Sequence, residues 1–282
     1  MLRVVRLGAL APVLVVLTAC GADPTPTTVA ARPGLAATQT ANNQSCAGIQ
    51  LYAIQLDMQG LPYPWQPNCV AATPYNASQP PGPTGLPQHV EINFGNVNPV
   101  NVKPGEPIIY IIPVTAYEQL WNDNNNPAVS NTFGQLNTLL KDKPEPIPTS
   151  GMPVLPYEQV TGHNDLSVQG KYLTVRSGNG VRFVGRFAQS PVPVSNNNPQ
   201  LMYIYQGYST DGTYFVSFFY PVSTSALPQS TAVTDAERQQ VDANSTAYMQ
   251  AQAQQLNALP DSAWNPPLTQ LDAVINSLRL GQ

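Results

Sequence analysis

Residues 168–189, VQGKYLTVRSGNGVRFVGRFAQ, and residues 201–222, LMYIYQGYSTDGTYFVSFFYPV, decide the fold. Each stretch places two β-prone runs around a turn signal, Ser177-Gly178-Asn179-Gly180 in the first and Asp211-Gly212 in the second. Glycine and asparagine adopt the positive φ angles of tight hairpins at little cost. The strands read as 168–176, 181–189, 201–209 and 213–222, and four strands joined in order by hairpins make an antiparallel meander. Tyr203, Tyr205, Tyr208, Tyr214, Phe215, Phe218, Phe219 and Tyr220 raise the strand propensity of the second pair. Tyr203 and Tyr205 share one face, with Met202, Ile204 and Tyr208 on the other. Both faces are therefore apolar, and burial beneath the C-terminal helices is expected.

On the N-terminal side, Val90, Ile92 and Phe94 alternate with His89, Glu91 and Asn93, the pattern of a half-buried strand with its polar side exposed. Residues 107–114, PIIYIIPV, form a continuous apolar run that suits a central strand up to Pro113. Residues 116–121 and 131–141 follow as short helices, the second with Phe133, Leu136, Leu139 and Leu140 on one face. On the C-terminal side, Thr234-Asp235-Ala236-Glu237 is a capping box that opens a helix running to about Leu259. Asn265-Pro266-Pro267 opens another, with Leu268, Leu271, Val274, Ile275 and Leu278 at helical spacing. The expected class is α+β, an antiparallel sheet of hairpins packed against C-terminal helices after a proline-rich irregular N-terminal segment.

The first 44 residues carry an address. Arg3 and Arg6 precede an apolar run over 7–17, which is shorter than the roughly 20 residues a helix needs to span a bilayer, and Leu17-Thr18-Ala19-Cys20 closes it. This order resembles the lipobox of bacterial lipoproteins, in which the cysteine is acylated, with palmitate among the chains, and becomes the first mature residue. The resemblance implies a signal peptide over 1–19 and a lipid on Cys20 that holds the protein at a cell membrane or outer membrane, outside the cytoplasm. Two or three acyl chains anchor stably where one binds marginally. Residues 20–44, small, polar and aperiodic, read as a lipidated flexible tether, and 45–282 as a single α+β domain. Residues 45–59 fit helix or strand equally, and 60–88 hold eight prolines and read as irregular coil.

With Cys20 acylated, Cys46 and Cys69 are left as a pair in a compartment where disulfides persist. A Cys46–Cys69 bridge closes a loop of about 22 residues and contributes roughly 3 kcal/mol on the chain-entropy model. Loss of residues 1–19 removes two of 12 Lys+Arg and none of 16 Asp+Glu, leaving a net charge of −6 that argues against nucleic acid as a partner. Only 10% of residues are charged and 42% are apolar, enough for a core.

Most catalytic templates fail on inventory. The two histidines, His89 and His163, lie far apart, and no HExxH, Cys-x-x-Cys, Gly-x-Ser-x-Gly or phosphate loop is present, so no metal or other cofactor is expected. Gly162-His163-Asn164-Asp165 leaves a hydrolase or transferase using His163 and Asp165 as the alternative to a non-catalytic protein. The first hairpin concentrates Lys171, Arg176, Arg182 and Arg186. A three-residue loop, Gly178-Asn179-Gly180, would put Leu173 and Val175 with Val181, Phe183 and Phe187, pair Arg176 with Arg182, and set Tyr172 opposite Arg186. Like charges directly opposite need something anionic between them. Arg176, Arg182, Arg186 and Tyr172 are thus the candidate contact for an anionic ligand, another envelope protein or acidic headgroups, with Glu237 and Asp242 as internal alternatives.

The block 180–228, GVRFVGRFAQSPVPVSNNNPQLMYIYQGYSTDGTYFVSFFYPVSTSALP, resembles a block of bacterial envelope lipoproteins of unassigned function. A looser similarity is to PsbP/Mog1-like α+β folds, in which an aromatic strand precedes a C-terminal helix such as 268–280. The resemblance implies an envelope location and a fold; it implies no activity.

Overall fold

The computed structural model of the protein describes residues 45–79, 82–95 and 103–280. The expected signal peptide over 1–19, Cys20 and the expected tether over 20–44 lie outside the described residues. Seven strands form one antiparallel sheet: β1 (Trp65–Val70), β2 (His89–Phe94), β3 (Ile108–Pro113), β4 (His163–Val175), β5 (Gly178–Ala188), β6 (Met202–Ser209) and β7 (Tyr214–Pro221). Their spatial order is β1-β2-β3-β7-β6-β5-β4. The meander β4 to β7 forms in the expected sequence, and the pairing of β7 with β3 joins it to a second meander, β1 to β3. Helices α1 (Val114–Asn122) and α2 (Ala128–Asp142) lie between β3 and β4 in the chain, and α3 (Asp235–Asn257) and α4 (Leu268–Ser277) follow β7.

Two apolar cores result, one on each face of the sheet. Tyr203, Tyr205, Val184, Val216 and Phe218 pack with Val241 and Leu256 of α3 and with Leu268, Leu271, Val274 and Ile275 of α4. Ile204, Phe183, Phe215 and Phe219 pack instead with Tyr117 and Trp121 of α1 and with Val129, Phe133 and Leu136 of α2. Each such large apolar side chain contributes about 1.5–3 kcal/mol on burial. The expectation that C-terminal helices cover the sheet describes one face only. The strands are apolar on both faces because helices cover both, and the architecture is helix, sheet, helix.

The first hairpin takes a register different from the expected one. Val175 pairs with Gly178, so Arg176 and Ser177 form a two-residue turn, and Lys171 stands opposite Arg182 where Arg176 was expected. Two physical facts cause this. First, Gly178 and Gly180 serve the next strand: a Cβ on Gly178 would lie 1.8 Å from the Tyr208 carbonyl oxygen, and one on Gly180 would lie 2.4 Å from that of Gln206. Second, β4 carries a bulge between Val168 and Lys171, with Gln169 at φ 58°. The extra residue inverts the parity of every side chain beyond it. Val175 consequently lies in the α3/α4 core and Phe183 in the α1/α2 core. The bulge is held by the end of α3, since Gln169 Nε2 donates to the carbonyls of Leu256 (2.6 Å) and Leu259 (2.8 Å).

The capping box forms as expected, with Glu237 N donating to Thr234 Oγ1 at 3.2 Å and Thr234 N to Glu237 Oε2 at 2.8 Å. A break at Asn244 (φ −161°) divides α3, and Asn244 Oδ1 caps the second part by accepting from Ala247 N at 3.0 Å. Residues 60–88, expected as irregular coil, contribute edge strand β1 and the short ladder of Thr73–Asn76 with Thr84–Leu86. Pro67 is tolerated because β1 is an edge strand. The ambiguity over residues 45–59 resolves into a two-residue ladder, Ser45–Cys46 with Ile49–Gln50, followed by a turn of 3-10 helix at Leu51–Ala53. The Cys46–Cys69 disulfide is present and fastens this segment to β1, with Cα atoms 5.4 Å apart.

Candidate functional site

The four residues read as an anion contact do not share a surface. Arg182 and Arg186 alternate with Val181, Phe183 and Phe187 along β5, so they face α3 and α4, and they are 2% and 0% exposed. Arg182 Nη2 donates to Asp261 Oδ1 and Oδ2 at 2.9 and 3.1 Å. Its Nε lies 3.2 Å from Asp272 Oδ1, an ion pair without the alignment of a hydrogen bond. Asp272 also accepts from Lys171 Nζ and from the Tyr203 hydroxyl, each at 3.0 Å, and burial beside this carboxylate holds the Tyr203 hydroxyl well above its usual pKa range. The cross-strand like-charge pair, Lys171 with Arg182, is thus neutralised by an aspartate of α4. Arg186 is bound by Asp165 through Nε (3.1 Å) and Nη2 (2.5 Å), and by the carbonyls of Pro193 and Val192.

The internal carboxylates are Asp165, Asp261 and Asp272, not Glu237 or Asp242. Arg176 is exposed in the hairpin turn, and Tyr172 lies toward the opposite face, its hydroxyl donating to the Pro144 carbonyl at 3.2 Å. Buried, hydrogen-bonded ion pairs of this kind organise a core and leave no face for an external anion.

His163 is the exposed first residue of β4, and its ring makes no hydrogen bond among the described residues. Asp165 has both oxygens on Arg186 and leaves no carboxylate to orient that imidazole. Among the described residues, no group of three His, Cys, Asp or Glu side chains is placed to hold a metal ion, and no helix is long and apolar enough to cross a membrane.

A different cluster carries the unusual chemistry. His89, Glu91 and Asn93, expected at the surface, are 1%, 6% and 3% exposed, because α1 and the segment before β4 cover that side of β2. His89 Nδ1 is 2.8 Å from the Pro87 carbonyl and Nε2 is 3.2 Å from Glu91 Oε1. Glu91 pairs across the sheet with Tyr110, whose hydroxyl accepts from Gln159 Nε2 at 2.9 Å. Glu158 Oε1 accepts from Gly85 N at 2.9 Å. Burial raises the Glu158 carboxyl pKa above its ordinary range, a shift offset in part by that hydrogen bond and by His89. Burial likewise raises the Tyr110 and Tyr117 hydroxyls.

Six buried side-chain atoms of this cluster have no side-chain hydrogen-bond partner among the described residues: Glu91 Oε2, Asn93 Nδ2 and Oδ1, the Tyr117 hydroxyl, Glu158 Oε2 and Gln159 Oε1. Leaving such groups unpaired costs about 1–3 kcal/mol each, so their concentration in one place requires an explanation. Glu158 lines a cavity of about 840 Å³ whose wall also includes Trp121, Tyr157, Val160 and Asn126, with His163 among its outer residues. The Trp121 and Tyr157 ring centroids lie 5.2 Å apart, and Tyr75 meets Trp121 edge-on at 5.2 Å. Trp121 is fixed by its indole N–H, which donates to the Gly85 carbonyl at 2.9 Å, and Tyr157 by Thr132 at 2.7 Å. A cavity of this volume, with aromatic side chains, a carboxylate and several neutral polar groups in its wall, has the make-up of a small-molecule site.

Comparison with protein families, with curated proteins and with solved structures finds no match to this chain. The site therefore rests on its own geometry. Sequence reasoning missed it because it assigns no element or role to Tyr157-Glu158 and takes His89, Glu91 and Asn93 as the exposed polar side of a half-buried strand. The available signal was the apolar, proline-rich run Met152-Pro153-Val154-Leu155-Pro156 leading into Tyr157-Glu158-Gln159, a short aromatic and acidic segment.

Proposed function

We propose that the chain is a lipid-anchored, extracytoplasmic protein that binds a small ligand without transforming it, in the cavity over Glu158. The observation that carries the reading is a cavity of about 840 Å³ whose wall is built from Tyr157, Glu158 and the buried Trp121, the Glu158 carboxylate keeping one buried oxygen without a partner among the described residues. The order Leu17-Thr18-Ala19-Cys20 and the resemblance to envelope lipoproteins support the address. The engagement of Asp165 by Arg186 removes the motive for a His163 hydrolase or transferase.

The test uses the full lipidated chain in detergent micelles and a panel of small amines, sugars, nucleosides and carboxylates, read by tryptophan fluorescence. Trp121 is one of three tryptophans. A ligand-dependent change that disappears in Trp121→Phe, with the circular dichroism spectrum retained, supports the reading. No response across the panel, or one that survives the substitution, refutes it. Incorporation of an alkyne-tagged fatty acid that is lost in Cys20→Ala tests the anchor.

A further inference from the structure

We infer that the end of the sheet carrying the two hairpin turns lies against an anionic lipid surface, with Arg176 and Arg279 on the headgroup phosphates. This rests on the lipid anchor proposed above and adds the face that the domain turns towards the membrane. The β4–β5 turn at Arg176-Ser177 and the β6–β7 turn at 210–213 leave the sheet side by side, because Gly178 pairs with Ser209 and Thr210 N donates to the Ser177 carbonyl at 2.9 Å. The chain beyond α4 closes the same spot, so that Arg176, Ser177, Thr210, Asp211, Arg279 and Leu280 wall one cleft of about 470 Å³. Both arginines are exposed, and the Lys and Arg ion pairs among the described residues use Lys171, Arg182, Arg186 and Arg238 instead. With two arginines against one aspartate, the cleft is net positive.

The chain also enters the fold here. Tyr214, the first residue of β7 after the 210–213 turn, donates its hydroxyl to the Ala47 carbonyl at 2.9 Å, close to Ser45, where the expected tether joins the domain. Gln55 and Arg279 then exchange two backbone hydrogen bonds, at 3.2 and 2.9 Å. Between Ala47 and Gln55, Tyr52 is 51% exposed, one of two large apolar side chains on the described surface. An aromatic ring with a polar tip beside arginines is the composition of a membrane interface. A flexible chain of the length expected for 20–44 spans on the order of 25–30 Å, so a lipid on Cys20 keeps the domain within reach of the surface that holds it.

Charge is spread unevenly along the strands. The acids nearest the cleft are turned onto their own loops: Asp211 Oδ1 accepts from Ser209 Oγ at 2.6 Å and from Thr213 N at 3.0 Å, and Asp57 Oδ1 from Gln59 N at 2.8 Å. Asp165 and the acids that open α3, Asp235 and Glu237, lie toward the other end, where Arg238 shares a cavity wall with Phe187 and Met202. A net charge of −6 would hold an unoriented domain away from an anionic membrane, and this distribution lets the turn end approach while those acids stay distant. Each arginine near an anionic surface favours the bound orientation by about five-fold, an effect that fades beyond about one Debye length.

The experiment is phenylglyoxal labelling of the full lipidated chain in nanodiscs of phosphatidylcholine alone and of phosphatidylcholine mixed with phosphatidylglycerol, each arginine read by mass spectrometry. The reagent is uncharged, and Arg238, its side chain 56% exposed at the other end of the strands, is the internal reference. Labelling of Arg176 and Arg279 is expected to slow at least about three-fold in the anionic discs, with Arg238 unchanged, and the protection to disappear in high salt. Arg279→Glu is expected to abolish the protection of Arg176 as well. Equal labelling of Arg176 and Arg279 in the two kinds of disc, slowing shared by Arg238, or protection of Arg176 that survives Arg279→Glu overturns the surface and leaves the anchor standing. A chain that takes up no fatty acid at Cys20 overturns the anchor, and the surface with it.

Discussion

Arg182→Met removes a guanidinium that is 2% exposed while keeping most of the aliphatic volume, so its cost measures the ionic network under α3 and α4. Three groups lose a partner. Asp261 is 25% exposed at its side chain and returns to water with little penalty. Asp272, 12% exposed, keeps Lys171 Nζ and the Tyr203 hydroxyl, each at 3.0 Å. The Gln169 carbonyl at the β4 bulge loses its guanidinium donor. Breaking a buried pair by deleting one member costs about 3–5 kcal/mol when the other charge is stranded. Because Lys171 remains, the lower end applies, and we expect about 3 kcal/mol. At roughly 2–4 °C per kcal/mol for a domain of this size, Tm should fall by about 6–12 °C. In urea, with m near 3 kcal/mol/M, the midpoint should fall by about 1 M. The double mutant with Asp272→Asn should cost less than the sum of the singles by at least about 1 kcal/mol, because the two share one interaction. A Tm within about 2 °C of the native value would refute the reasoning. It would mean that Arg182 is a solvated surface cation and restore it as a contact for external anions.

Four further outcomes are expected. Glu158→Gln should stabilise the ligand-free protein at neutral pH, because burial raises the folded pKa above the ordinary 4.5 and ionisation therefore opposes folding. The native protein gains stability from this group as pH falls through the folded pKa towards 4.5. The advantage of the glutamine should thus be present at pH 7–8 and vanish at or below about pH 4.5 in paired urea titrations; a constant offset would contradict the assignment. Removing the disulfide with Cys46→Ser and Cys69→Ser should cost about 3.4 kcal/mol on the chain-entropy model for a separation of 23 residues, read as a shift in urea midpoint. Gly178→Ala should cost at least about 2 kcal/mol, since its Cβ would overlap a strand carbonyl that pairing holds in place, and a neutral result would remove the close-approach account. Thr234→Ala should cost about 1 kcal/mol through loss of the α3 cap, measurable as a small drop in Tm.

Where local chemistry fixes local structure, the sequence was readable. The second hairpin formed around Asp211-Gly212, with Gly212 at φ 73°, because nothing outside the turn competes for that glycine. The α3 capping box and the prolines before α4 acted through neighbours a few residues away. The first hairpin misled because its glycines answer to β6, whose contribution enters about 25 residues later in the chain. Its bulge also inverted the alternation on which the register was reasoned. The candidate site was hidden for a related reason. His89, Glu91 and Asn93 alternate with apolar residues as in a strand with a wet face, and only the crossing of α1 and of residues 152–160 over that face buries them. The arginines were recognised as needing anions, and aspartates of distant elements supply them.

The disulfide has a mechanical consequence. Load applied to the chain on the N-terminal side of Ser45 meets a covalent cross-link almost at once, since Cys46 is bonded to Cys69. The force therefore bypasses the two-residue ladder at Ser45–Gln50 and enters β1, which resists through its full pairing with β2 from Trp65 to Val70. Reduction would move the point of attack to that ladder and allow the first twenty or so residues of the fold to peel away. A domain pulled from this end would behave as a clamp when oxidised and as a zipper when reduced.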